Sequence, residues 1–204
     1  MNKTEPIYHH RDVEKFLKIL KDWNENYHVA AMVGIHWGLR VSDILALEIG
    51  QFVAGTEKRI QITNSIRLVE IKTGRERYIT ITPHMNRVLY RHIKRCVKRA
   101  GAYDSTLPLI ASQKRDGNGR PKPLTRQRLW EVVSEAARLA EIRERIGTHS
   151  LRKTFAYQAW KTGEMGVDQI QKVFGHASIM TTHQYACIPS REEQKIYSLL
   201  SFGM

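Results

Sequence analysis

A chain of 204 residues, 42% of them hydrophobic, has room for one or two domains around a packed core. Its 33 Lys and Arg outnumber 20 Asp and Glu for a net charge of +13, and the excess is spread along the chain and not gathered in a tail, which describes a broad face for a polyanion, DNA or RNA. Two cysteines, Cys96 and Cys187, argue against a disulfide framework or zinc site, and with no apolar N-terminal core and no run near the roughly 18 apolar residues of a membrane span, secretion and membrane insertion are excluded in favour of a reducing cytoplasm.

Arg11 to Asn24 has helical spacing, with Val13, Phe16, Leu17 and Leu20 on one side, and His28 to Leu39 is apolar enough for a buried helix. Arg40 falls where that helix should end, and Ser42 is placed to cap a short helix through Leu47, which sets Arg40 on a fixed junction. From Arg59 to Thr82 the period changes. Ile60 and Ile62 alternate with polar neighbours, and Tyr78, Ile79 and Ile81 follow a Thr73-Gly74 turn, so a small three-stranded antiparallel sheet is predicted. Pro83 ends the last strand, Met85 to Ala100 reads as a basic helix stopped by Gly101, and polar Ser112 to Pro123, with Gly117, Gly119 and two prolines, reads as an exposed loop.

Thr125 can cap a helix to about Ala140 whose Leu129, Val132, Val133, Ala136 and Leu139 form a core stripe. His149 to Lys161 is the next helix; His149 and Arg152, three residues apart, share a face, while Leu151, Phe155 and Ala159 hold the helix to the core. Gly163 ends it. Val167 to Phe174 is a short helix closed by Gly175, so His176 emerges from a glycine turn; Ser178 to Ala186 carries Tyr185, and Ser190 begins a final helix. The class is mainly α with a small antiparallel β-sheet (α+β), in a single domain from 1 to 204.

The chemistry-bearing residues are concentrated. Thr148-His149-Ser150-Leu151-Arg152-Lys153-Thr154 precedes Phe174-Gly175-His176 and then Tyr185, and upstream Gly38-Leu39-Arg40-Val41-Ser42-Asp43 and Glu70-Ile71-Lys72-Thr73-Gly74-Arg75-Glu76-Arg77 add an Arg and a Lys. Attack on a phosphodiester needs a nucleophile, proton carriers and fixed positive charge around a pentavalent phosphorus, and these residues include all three without a metal-ligand cluster. Neither metal nor cofactor is expected. Arg40 and Arg152 suit the nonbridging oxygens, since a planar guanidinium donates two parallel hydrogen bonds. His149, titrating near neutrality, suits a general base for a phenol, and His176 a hydrogen-bond donor to the phosphate.

Six ordered positions, Arg40, Lys72, His149, Arg152, His176 and Tyr185, with His176 nine residues before Tyr185, resemble the tyrosine recombinases, also called the phage integrase family, over roughly Arg11 to Tyr197. The H-x-x-R element alone arises often by chance; the joint pattern is highly specific. The resemblance implies the tyrosine-recombinase catalytic-domain fold and a site-specific recombinase or integrase that breaks and rejoins double-stranded DNA through a 3′-phosphotyrosyl intermediate, without ATP. It implies Tyr185 as nucleophile, with Tyr197 as the alternative, and Lys72 as proton donor to the leaving 5′ oxygen. Asp43 would brace the site, although an ordinary first-turn helix acid explains it almost as well. Arg75 and Arg77 beside Lys72, and Lys153, where a second His often follows the Arg, are candidate DNA contacts.

Typical members also carry an N-terminal core-binding domain of roughly a hundred residues, a common domain size, that completes a clamp on DNA. Here the catalytic pattern begins almost at once, so that domain is expected to be absent and the clamp to come from an accessory protein, a neighbouring protomer, or nowhere. The last helix, with Ile196, Leu199 and Leu200, could dock on another protomer or pack on its own domain. A bacterial, phage or mobile-element protein acting on cytoplasmic DNA is implied. Two rivals stay open: a type IB topoisomerase-like strand transferase, and a DNA-binding regulator that keeps the scaffold without useful catalysis.

Overall fold

Helix α1 (His10–Trp23) turns Val13, Phe16 and Leu20 inward in a computed structural model that describes residues 4–55, 59–163, 165–175, 180 and 182. Asn24 then caps α2 (Glu25–Trp37) by accepting from the Asn26 amide at 2.9 Å. Helix α2 has almost no polar face: Val29, Ala30, Ala31 and Val33 are fully buried, as expected of a helix surrounded by others. It ends at Gly38, whose φ of 60° is left-handed. A Cβ there would also lie 2.6 Å from the Phe155 ring and 2.8 Å from the Phe174 ring, so both backbone and packing demand glycine.

The short helix α3 spans Val41–Leu45, and Arg40, extended at φ −71° and ψ 151°, is itself the N-cap residue without a side-chain cap bond. The expected Ser42 cap and extension to Leu47 are therefore corrected: the left-handed turn at Gly38 starts the helix early enough to leave Ser42 inside its first turn.

The strands pair antiparallel as three separate ribbons, not as one three-stranded sheet: β1 (Val53–Ala54) with β2 (Gln61–Ile62), β3 (Ser65–Val69) with β4 (Glu76–Thr80), and β5 (Ala111–Arg115) with β6 (Pro121–Pro123). A bend at Asn64 divides β2 from β3. In the β3–β4 hairpin, Ile66, Leu68, Arg77 and Ile79 are buried while Val69 and Tyr78 are exposed, the alternation of a half-covered ribbon. The β5–β6 ribbon replaces the expected loop. Asp116 accepts from the amides of Asn118 and Arg120 at 2.9 and 2.8 Å and closes its turn, and prolines are tolerated on so exposed an edge.

Helix α4 (Pro83–Ala100) is capped by Thr82, and α5 (Arg126–Leu139) by Thr125; Leu139 is 46% exposed and so leaves the expected core stripe. Helix α6 (Thr148–Lys161) packs against α2, which α1, α4 and α5 also touch. Helix α7 (Val167–Phe174) joins α6 through a second apolar cluster of Ala156, Ile170 and Phe174. Among the described residues no helix is long and apolar enough to cross a membrane. The expected segment around Tyr185 and the helix from Ser190 lie outside the described residues, as does Cys187.

Candidate active site

The last carbonyls of a helix have no intrahelical donor and carry the negative end of its dipole. Three arginines converge on such carbonyls where α2 and α7 end. Arg152, only 2% exposed, donates from Nη1 to the Gly38 carbonyl at 2.5 Å and from Nη2 to the Phe174 carbonyl at 3.3 Å, with its guanidinium 3.9 Å from the centre of the Phe174 ring. Arg77 donates to the Trp37 carbonyl at 2.8 Å. Arg75 donates to the carbonyls of Lys172 and Val173. Gly175 follows, left-handed at φ 63°, and a Cβ on it would collide with the Arg75 guanidinium. This packing fixes the exit of α7 immediately before His176, which itself lies outside the described residues, as does Tyr185.

Below the guanidiniums sits a carboxylate. The Glu70 side chain is fully buried at the end of β3, with Oε2 2.7 Å from Arg40 Nη1 and Oε1 3.6 Å from Arg77 Nη1 and 3.9 Å from Arg152 Nη1. Thr73 Oγ1 donates to Oε2 at 2.8 Å. Burial pushes this carboxyl up, but the Thr73 hydroxyl, then Arg40 and Arg152, outweigh it and hold the group below its ordinary range. Arg40 keeps 18% of its side chain open. Asp43, 1% exposed, accepts the Ile71 amide at 3.0 Å, so it braces the hairpin turn.

That turn carries Lys72, exposed at its tip. The exposed His149 borders a groove of about 540 Å³ with Arg126, Gln127, Trp130 and Thr148. Partial burial, then Arg126, Lys153, Arg152 and Lys72, hold the imidazole below its usual value, leaving it neutral and proton-accepting at pH 7. Arg40, Lys72, His149 and Arg152 are thus brought to one face.

Two expected DNA contacts point elsewhere. Arg77 and Lys153 are 8% and 5% exposed; Arg77 serves Glu70 and Trp37, and Lys153 donates to the Thr4 carbonyl. Both side chains are turned into the fold and not out to solvent, although the Lys153 ammonium still acts on His149. Arg75 stays partly exposed while holding α7. Glu70 and Thr73 were not anticipated, although the two-residue period that buries Ile66 and Leu68 also turns Glu70 inward. Among the described residues, no three His, Cys, Asp or Glu side chains are grouped to hold a metal ion.

Residues 7–190 match the phage integrase family. Over 199 residues, 98% of each chain, the protein is 25% identical to the probable integrase/recombinase YoeC of Bacillus subtilis strain 168. It is 31% identical over 81 residues to the tyrosine recombinase XerD of Staphylococcus saprophyticus subsp. saprophyticus, 40% of this chain and 27% of that relative. The fold is similar to XerA recombinase (TM-score 0.70, 17% identity, 98% of this chain and 66% of that one). It is also similar to XerH bound to palindromic difH substrate in a post-cleavage complex (0.71, 19%, 97% and 54%), and to the catalytic domain of bacteriophage HP1 integrase (0.56, 20%, 95% and 94%). The chain therefore spans nearly all of YoeC and the HP1 domain but less than two thirds of XerD and XerH. With that family matched across residues 7–190, through an H-x-x-R helix whose arginine reaches the ends of α2 and α7, the protein belongs to the phage integrase family, the tyrosine recombinases.

Proposed function

We propose that this recombinase cleaves and rejoins DNA with Tyr185 as nucleophile, Arg40 and Arg152 as the phosphate clamp, His149 as proton acceptor and Lys72 as proton donor. The observation that carries the reading is the approach of the Arg40 and Arg152 guanidiniums to one buried carboxylate, 2.7 and 3.9 Å away. Two planar cations so fixed can share the nonbridging oxygens of one phosphate. In the forward step the Tyr185 Oη–P bond forms and the P–O5′ bond breaks; the phenol proton passes to His149, a Lys72 proton ends on O5′, and His176 hydrogen-bonds the phosphate. Reversal by a 5′ hydroxyl reseals the strand, so no external energy source is required.

Among the related solved structures, lambda integrase is a dimer on a COC′ core site and a tetramer on a Holliday junction. By analogy, several protomers of this chain assemble on double-stranded DNA, joined through the Ser190 to Phe202 segment, with a clamp or accessory protein completing the grip. Arg75, next to Lys72, supplies a backbone contact. A nicked suicide duplex tests the chemistry: the wild type forms a covalent protein–DNA adduct, and Tyr185→Phe binds DNA without forming one. An adduct on the Phe variant refutes the nucleophile. Exchange of strands between two duplexes separates recombination from topoisomerase action.

A further inference from the structure

We propose that Glu70 and Thr73 form a tether holding the Lys72 turn to the phosphate-clamping guanidiniums, so that Glu70 is a positioning residue for protonation of the leaving group; the inference rests on the chemistry above. An exposed lysine on a hairpin tip has a long flexible stem and, without further restraint, no defined place. Here the turn is held from two sides. Thr73 Oγ1 bonds the same carboxylate oxygen that lies 2.7 Å from Arg40, and Asp43, three residues beyond Arg40, accepts the Ile71 amide at 3.0 Å. The Gly74 amide donates to the Glu70 carbonyl at 2.8 Å and the Glu70 amide to the Arg75 carbonyl at 2.9 Å, closing the turn on itself. Lys72 lies between these attachments, so its backbone moves only with the junction that carries Arg40.

A carboxylate could serve merely to neutralise crowded guanidiniums. That role needs no hairpin hydroxyl: Thr73 is exposed and water would satisfy it. The two roles separate at Thr73→Val, which keeps every charge and the side-chain shape but removes the donor.

Single-turnover cleavage by the intact chain is measured at saturating DNA on two suicide duplexes, one ordinary and one with sulfur replacing the bridging 5′ oxygen. On the second, the P–S bond breaks and the thiolate departs without needing a proton, while the phenol proton still goes to His149. General-acid contributions of about 10²–10⁴ set the scale. Thr73→Val is expected to cleave the oxygen substrate at least about tenfold more slowly, with unchanged DNA affinity, and the sulfur substrate within about twofold of wild type. Lys72→Ala should show the same pattern more strongly, and Thr73→Ser, which restores the hydroxyl, should recover the oxygen rate. Glu70→Gln should slow both substrates, because the arginines also lose their partner. Wild-type rates for Thr73→Val on oxygen, or equal slowing on both substrates, overturn the tether. Absence of adduct from the wild type on either duplex would instead overturn the recombinase chemistry on which the tether rests.

Discussion

Replacing Arg152 by Lys keeps the charge and removes the fork, and the structure sets the size of the effect. The guanidinium bonds the Gly38 and Phe174 carbonyls at once and packs 3.9 Å from the centre of the Phe174 ring, with 2% of the residue exposed. A lysine head gives up at least one of the two carbonyls, about 2 kcal/mol for a hydrogen bond to a charged group, and part of the ring contact, about 1 kcal/mol. A loss of about 3 kcal/mol moves the urea midpoint down by about 1.5 M at a slope near 2 kcal/mol/M. Cleavage by the folded variant should fall separately, by about 10²–10³, as when one preorganised donor leaves a developing oxyanion. Urea titration and single-turnover cleavage at a urea-free temperature well below the melt measure the two separately. A midpoint shift under about 0.3 M with cleavage within about fivefold of wild type would refute the two-carbonyl, two-oxygen role of this fork.

Because the His149 imidazole is held below its ordinary value, the acid limb of kcat/KM, where the base takes a proton, should have its midpoint below the roughly 6.5 of a free imidazole; a midpoint at or above about 6.5 rejects that depression. The same sign applies to folding: the contribution of His149 is complete above its unfolded value and is lost as pH falls through the lower folded one. Cleavage in EDTA should equal that in magnesium, since fixed guanidiniums supply the charge that a metal would, and restoration by magnesium after chelation would place the protein in another mechanistic class. Gly38→Ala should cost about 2–4 kcal/mol, combining left-handed strain with overpacking against Phe155 and Phe174, and should lower cleavage because Arg152 loses its seat; unchanged denaturation rules this out.

Elements with a strong apolar period and a punctuating residue were legible in sequence: α5 begins after Thr125, and α4 and α7 end at Gly101 and Gly175. The β5–β6 ribbon was not, because neither face is covered and no apolar alternation marks it. The catalytic-type residues Arg40, His149 and Arg152 stood out by type and spacing, whereas charge alone says nothing of direction. Arg77 points inward by its register opposite Leu68. Lys153 does so because the N-terminal segment lies over α6, where the Ile7 amide donates to Thr154 across 147 positions, a pairing no local pattern reveals.

Arg152 makes its bond to Gly38 across 114 positions, and Arg75 reaches α7 across 97. Contacts of such sequence separation form only after long loops have closed, late in folding. A nascent or proteolysed chain that ends before α7 therefore has Arg40, Lys72, His149 and Arg152 but neither the Phe174 carbonyl that Arg152 bonds nor Tyr185. For an enzyme of a family that breaks and rejoins DNA, this topology withholds the cutting edge until nearly the whole domain has been made and folded.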